Sequence, residues 1–126
     1  MRKIIFSIFC FCIFSCSNWF LTEIEQECEV ENPQFTFDAD IKPIFNENCV
    51  VCHDSDDPTY GPLNLSGYEH FNVSEFLIPG NPHEGKIIER IKNQDSPMPP
   101  NWYSEMLNQE TIDTISTWIM ECAVEN

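Results

Sequence analysis

The sequence predicts an all-α domain of three to four helices with long loops between them. Three stretches carry apolar residues at helical spacing, and each opens on residues that favour a helix start. Nothing reads as a set of parallel strands, and residues 54 to 80 are rich in Asp, Pro, Gly and Asn, as loops are. The first helix is expected to begin at Asp38 as N-cap and to run to Cys52. Ile41, Ile44 and Phe45 give it an apolar face, and Pro43 sits in its early turns, where a missing N–H costs little. The second is expected to open at Asn81-Pro82-His83-Glu84, with Asn as N-cap, Pro at the first position and Glu at the third. Its buried side would hold Ile87, Ile88 and Ile91. The third is expected from about Asn108 to Val124, with Ile112, Ile115, Trp118, Ile119 and Cys122 on one stripe. One more short helix is expected around Tyr68 to Phe71. Long loops in so small a domain usually hold something.

The start of the chain speaks of export. Met1-Arg2-Lys3 and the apolar run Ile4 to Phe14 resemble a secretory signal, too short to span a bilayer, which takes about 20 apolar residues. The run ends at Phe14-Ser15-Cys16, which resembles a bacterial lipobox although Phe14 is bulky for it. Residues 1–15 are therefore read as a lipoprotein-type signal peptide, with Cys16 lipidated and the protein periplasmic or on the cell surface. An ordinary cleaved signal or an uncleaved anchor remains the alternative. Residues 17–34, with Glu23, Glu25, Glu27, Glu29 and Glu31, read as an acidic tether, and residues 35–126 as the single folded domain.

Charge narrows the partners. The chain has 21 acidic and 6 basic residues and a net charge of −15; Arg2 and Lys3 precede Cys16 and every acidic residue follows it. A nucleic-acid partner is excluded, because phosphate binding needs a basic surface. A protein that docks by charge should offer a basic face, with on-rates that fall as salt rises. The alternative is that most of these carboxylates only keep the chain soluble.

Cys49-Val50-Val51-Cys52-His53 carries the chemistry. Cys-x-x-Cys-His is the attachment signature of a c-type haem. Two thiols on one helical turn can each form a thioether to a haem vinyl group, and the histidine that follows can ligate the iron. A zinc half-site would need further paired ligands, whereas His70 and His83 are isolated. A thioredoxin-like redox pair would need a βαβ setting. Of the seven cysteines, Cys10 and Cys12 lie in the signal, Cys16 carries lipid and Cys49 with Cys52 carry haem. Cys28 and Cys122 remain, and in an oxidising compartment they either pair as a disulfide or stay as two separate thiols.

On these residues the chain resembles the small monohaem cytochrome c domains of bacterial lipoproteins, over about Phe37 to Val124. The resemblance rests on Asp40-Ile41-Lys42-Pro43-Ile44-Phe45 before the haem motif and on Gly61-Pro62-Leu63-Asn64-Leu65 and Ile78-Pro79-Gly80-Asn81-Pro82 after it. Ser96-Pro97-Met98-Pro99-Pro100 and Ile115-Ser116-Thr117-Trp118-Ile119 complete it. It implies a cytochrome c-like fold around one covalently attached haem c, with first and last helices crossing beside it. Met98 is the candidate sixth ligand, a soft sulfur donor held by flanking prolines, and His53 the fifth; His70 and His83 are the alternatives for the sixth position, though both read better as surface residues. Met106 and Met120 read instead as core filler. In the wider family a proline carbonyl accepts a hydrogen bond from the proximal histidine; Pro62 matches that position, or else marks an ordinary turn.

The function expected is an extracytoplasmic electron carrier that is not an enzyme in its own right. Two alternatives stay open: a haem-based sensor or small-ligand binder, and a haem subunit of a larger surface oxidoreductase complex.

Overall fold

A computed structural model describes residues 28–54, 63–70 and 75–126; Cys16, the signal segment and Pro62 lie outside these. Among the described residues every regular element is helical. A wide turn with π-type hydrogen bonds, Phe37–Ile41, leads into α1 (Lys42–Asn48). A 3₁₀ turn follows at Tyr68–His70, then α2 (Lys86–Lys92) and α3 (Gln109–Met120).

The first helix starts two residues earlier than expected and stops four residues sooner. Thr36 is the N-cap: its hydroxyl accepts from Ala39 N–H at 3.4 Å, and its own N–H donates to the Asp40 carboxylate at 2.9 Å. Asp38 instead lies in the first turn, where its charge suits the positive end of the peptide dipoles. Pro43 explains the wide turn. It has no N–H to offer the Ala39 carbonyl, and its ring would crowd that carbonyl in a regular α-helix. The chain opens to five-residue spacing instead, with Ile41 N–H donating to the Thr36 carbonyl at 3.3 Å and Lys42 N–H to that of Phe37.

Expected boundaries also moved at the other helices. The N-cap of α2 is Gly85, not Asn81. The Asn81 side chain accepts from His83 N–H at 3.2 Å, so Asn81 closes a local turn before the helix. α3 does open at Asn108, whose side chain accepts from Thr111 N–H at 2.9 Å. It ends at Met120 rather than Val124, because Cys122 and Ala123 take positive φ values of 69° and 50°. Cys122 is thus just past the helix, not on its buried stripe. Trp118 reaches over this ending, its indole N–H donating to the Val124 carbonyl at 2.9 Å.

The core forms where the Phe37–Ile41 turn and α1 meet α3. Phe37, Ile41 and Phe45 are buried with Ile112, Ile115, Trp118 and Ile119. The Trp118 ring lies 6.0 Å from that of Phe37 and meets Phe45 edge to face at 6.5 Å. The three buried isoleucines of α2 close the other side of α3. Met106 and Met120 do not fill this core: they are exposed.

The two ends of the domain are fastened together. Cys28 and Cys122 form a disulfide with Cα atoms 5.3 Å apart, across 94 residues of sequence. Phe37 N–H donates to Val124 and Asp38 N–H to Glu125, at 3.0 and 3.1 Å. The Glu121 carboxylate accepts from Gln34 N–H at 2.7 Å. Gly80, at φ 81°, lies against this closure: its N–H donates to the Ile119 carbonyl at 2.7 Å, and an added Cβ would stand 2.8 Å from Cys28 Sγ. Gly80→Ala should therefore lower stability by about 1–3 kcal/mol, through strain and contact together. Denaturant unfolding of the purified, oxidised protein checks this; an unchanged transition would mean that the 78–81 turn does not touch Cys28.

Candidate functional site: an apolar cleft at the Cys49–His53 turn

α1 delivers the haem-attachment motif. As the helix ends, the Phe45 carbonyl accepts from both Cys49 N–H at 2.8 Å and Val50 N–H at 2.9 Å. His53 N–H then donates to the Cys49 carbonyl at 3.0 Å, which closes the five residues into one helical turn. That turn puts both thiols and the imidazole on the wall of a cleft of about 310 Å³. Met98 lines the same cleft, so the structure brings all four metal- and haem-binding candidates to one place.

The imidazole is oriented by a backbone carbonyl. His53 Nδ1 lies 3.1 Å from the Leu63 oxygen, and Leu65 N–H donates to the His53 carbonyl at 2.7 Å. A carbonyl can only accept, so Nδ1 carries the proton and Nε2 keeps its lone pair for a metal. The role proposed for the Pro62 carbonyl is filled by that of Leu63, the next residue along. Sequence reasoning chose the proline from its likeness to a Gly-Pro-Leu segment; the backbone register that selects Leu63 leaves no mark in side-chain identities. Asn64 fixes that register, its buried side chain accepting from Ser66 N–H at 3.0 Å and from Ser66 Oγ at 2.7 Å.

The Cys49 thiol suits thioether formation better than metal or redox chemistry. Burial pushes the Cys49 thiol up to about 12, so it is a neutral group in apolar surroundings. A zinc ligand or a redox-active thiol must be a thiolate, which needs a nearby cation or helix terminus to stabilise it. Among the described residues no three His, Cys, Asp or Glu side chains converge as a metal site.

The opposite wall comes from α2 and the proline loop. Met98 N–H donates to the Arg90 carbonyl at 3.2 Å, and Pro97 and Pro99 on either side are buried. The Met98–Pro99 peptide is cis. Met98 itself is 36% exposed, at the mouth of the cleft rather than in the core. Trp102 and Tyr103 form the rim, held by Tyr103 N–H donating to the Pro100 carbonyl at 2.8 Å; sequence reasoning missed both. Their position just after a Pro-Pro turn was the available signal. His83 is exposed, and His70 lies 3.5 Å from the Glu69 carboxylate; neither lines the cleft.

Residues 49–101 match the family described as Planctomycete cytochrome C. Over that stretch the chain is similar to a cytochrome c. The match opens on the first thiol and closes just past the proline loop, so it takes in the attachment turn, α2 and Met98 but not Phe45, the rim or α3. No curated protein and no solved structure matches the chain. With the helical fold, the match supports a cytochrome c-like domain, for which covalently bound haem and electron transfer are the general expectation. The residues present fit that group: two neighbouring sulfurs, an oriented imidazole, a thioether and apolar walls share one cleft. No helix among the described residues is long and apolar enough to cross a membrane.

Each sulfur should hold the haem by its own bond. Cys49→Ala and Cys52→Ala, expressed with haem-attachment machinery, should each retain one thioether, and the double variant none. Mass spectrometry of the denatured, acid-extracted protein reads this directly: haem mass surviving extraction in the double variant would contradict it.

Proposed function

We propose that this protein is an extracytoplasmic one-electron carrier, with one haem c bound through Cys49 and Cys52 and ligated by His53 and Met98. The observation that carries the reading is that the Cys49–His53 turn and Met98 line one apolar cleft. When bound, the haem supplies an iron that cycles between ferric and ferrous states. The chain's part is to hold that iron in one environment for both. Leu63 fixes the imidazole, and the Arg90 carbonyl with two buried prolines fixes the Met98 backbone. A soft thioether favours the ferrous state and raises the potential. If His53 and Met98 both ligate the iron, no substrate would need to reach it.

Lipidation of Cys16, with residues 17–34 as a tether, would keep the domain at a bacterial membrane, periplasmic or at the cell surface. The Cys28–Cys122 disulfide fits an oxidising compartment. The redox partner we propose carries a basic docking face to match a chain of net charge −15.

Optical spectroscopy tests the ligands. The ferric protein should show the weak near-infrared sulfur-to-iron charge-transfer band, Met98→Ala should lose it, and the reduced parent should resist carbon monoxide while the variant binds it. Rapid, complete carbon monoxide binding by the parent would sink the carrier reading in favour of a ligand-binding haem protein. For the partner, electron-transfer rates with a basic redox protein should fall steeply between roughly 10 mM and 1 M salt as the Debye length shrinks from about 30 to 3 Å. A flat salt profile would remove the charged-docking proposal without touching the haem.

A further inference from the structure

We infer that Arg90 binds a propionate carboxylate of the haem, an inference that rests on the haem reading above. The first ground is the charge of the cleft. The chain has 21 acidic residues and 6 basic ones, yet no Asp or Glu is among the described residues that line the cleft, whereas Lys86 and Arg90 both are. The cleft thus reverses the sign of the surface around it. A cavity that is cationic inside an anionic protein is matched to an anionic guest.

The second ground separates the two cations. Lys86 already has partners, with Nζ 3.0 Å from Glu75 Oε1 and 5.4 Å from the centre of the Phe76 ring. The Arg90 guanidinium makes no ion pair or side-chain hydrogen bond among the described residues. Its backbone is nonetheless fixed, since the Arg90 carbonyl accepts from Met98 N–H at 3.2 Å. The side chain therefore departs from a held point on the wall, beside the candidate sixth ligand. From the other elements around the cleft, the titratable groups are His53 and the two thiols of the attachment turn and Tyr103 of the rim; Lys86 faces it from α2 itself. None of these is a carboxylate that would compete for the guanidinium.

The third ground is what a haem brings. Its two propionates are carboxylates on an otherwise apolar ring, and a carboxylate drawn into an apolar cleft without a partner is costly. A guanidinium offers two parallel N–H donors that match a carboxylate, and it stays charged at any working pH. Arg90 would thereby position the macrocycle edge and add a positive charge to the wall of the cleft that carries Met98.

The holoprotein of Arg90→Gln tests this, with Arg90→Lys as conservative rescue and Lys92→Gln as control, since Lys92 is exposed and does not line the cleft. In Arg90→Gln the midpoint potential at pH 7 should fall, because the ferric state loses a nearby repelling charge. The pH at which the propionate ionises, read from the pH dependence of that potential, should rise by about 1–3 units as its cationic partner is lost. Arg90→Lys should recover most of both shifts, and Lys92→Gln should show neither. A haem-loaded Arg90→Gln whose potential and pH profile match those of Lys92→Gln overturns the inference. Should Arg90→Gln fail to accumulate with haem, the parent decides: its propionate must ionise at lower pH than in the haem peptide released from it by proteolysis. Equal or higher ionisation there also overturns Arg90. A parent chain that carries no haem mass overturns the functional reading instead, before any variant is compared.

Discussion

Phe45 is the residue through which the core and the cleft depend on each other. Its ring is buried edge to face against Trp118, and its carbonyl receives the N–H groups of both Cys49 and Val50. The side chain thus fixes where α1 crosses α3, while the backbone of the same residue fixes where the two thiols emerge. Buried aromatic contacts of this kind contribute about 0.5–1.5 kcal/mol beyond their area, and large-to-small replacement of a buried Phe costs about 3–5 kcal/mol. Loss of that ring would not only hollow the core. It would release the end of α1, and with it the alignment of sulfurs and imidazole.

A second constraint is electrostatic. In so acidic a chain the default neighbour of any surface group is a carboxylate. Lys42 shows that default, with Asp38 at 3.3 Å across one turn of exposed helix, where such a pair contributes little. The cleft departs from it, because its described walls come from the apolar faces of α1, α2 and α3, the proline loop and the 63–65 segment. Apolar walls account for the lack of carboxylates; they do not account for a cation. Lys86 and Arg90, both on the helix that buries Ile87, Ile88 and Ile91, bring that charge to the cleft, and of the two only Lys86 has a carboxylate partner among the described residues.

Much of this was legible in the sequence, and the reasons for success and failure are physical. The stripe on α3 was readable because helical periodicity is a property of side chains, and the Asn108 cap because its chemistry is local. The Cys49–His53 motif stood out because three of its five residues, two cysteines and a histidine at fixed spacing, are set by residue type alone. The register of the 63–65 segment was not, since any residue supplies the same carbonyl; Leu63 is chosen by the turn that Asn64 sets. The start of the first helix was misjudged because both Thr36 and Asp38 can cap, and only the wide turn forced by Pro43 decides between them. Residue type favours core filler for Met106 and Met120, yet both are exposed. The exposure of Met120 follows from where α3 turns its buried stripe, which Ile115, Trp118 and Ile119 already fill; Met106 lies before the helix, outside that stripe.

The arrangement also bears on how so small a domain can hold both walls of the cleft in place. The imidazole side of the cleft is anchored through α1 and the Phe45 carbonyl, and the Met98 side through α2 and the Arg90 carbonyl. Both helices lean on α3, which is fastened at its far end by the Cys28 disulfide and by backbone bonds from residues 37 and 38. A single helix therefore references both walls. Movement of one axial candidate relative to the other requires α1 or α2 to slide on α3, and close-packed faces resist that. A metal held between such walls would keep its ligand distances through a change of one charge. The protein would need no larger scaffold to achieve it, only the crossing at Trp118 and the closure at Cys122.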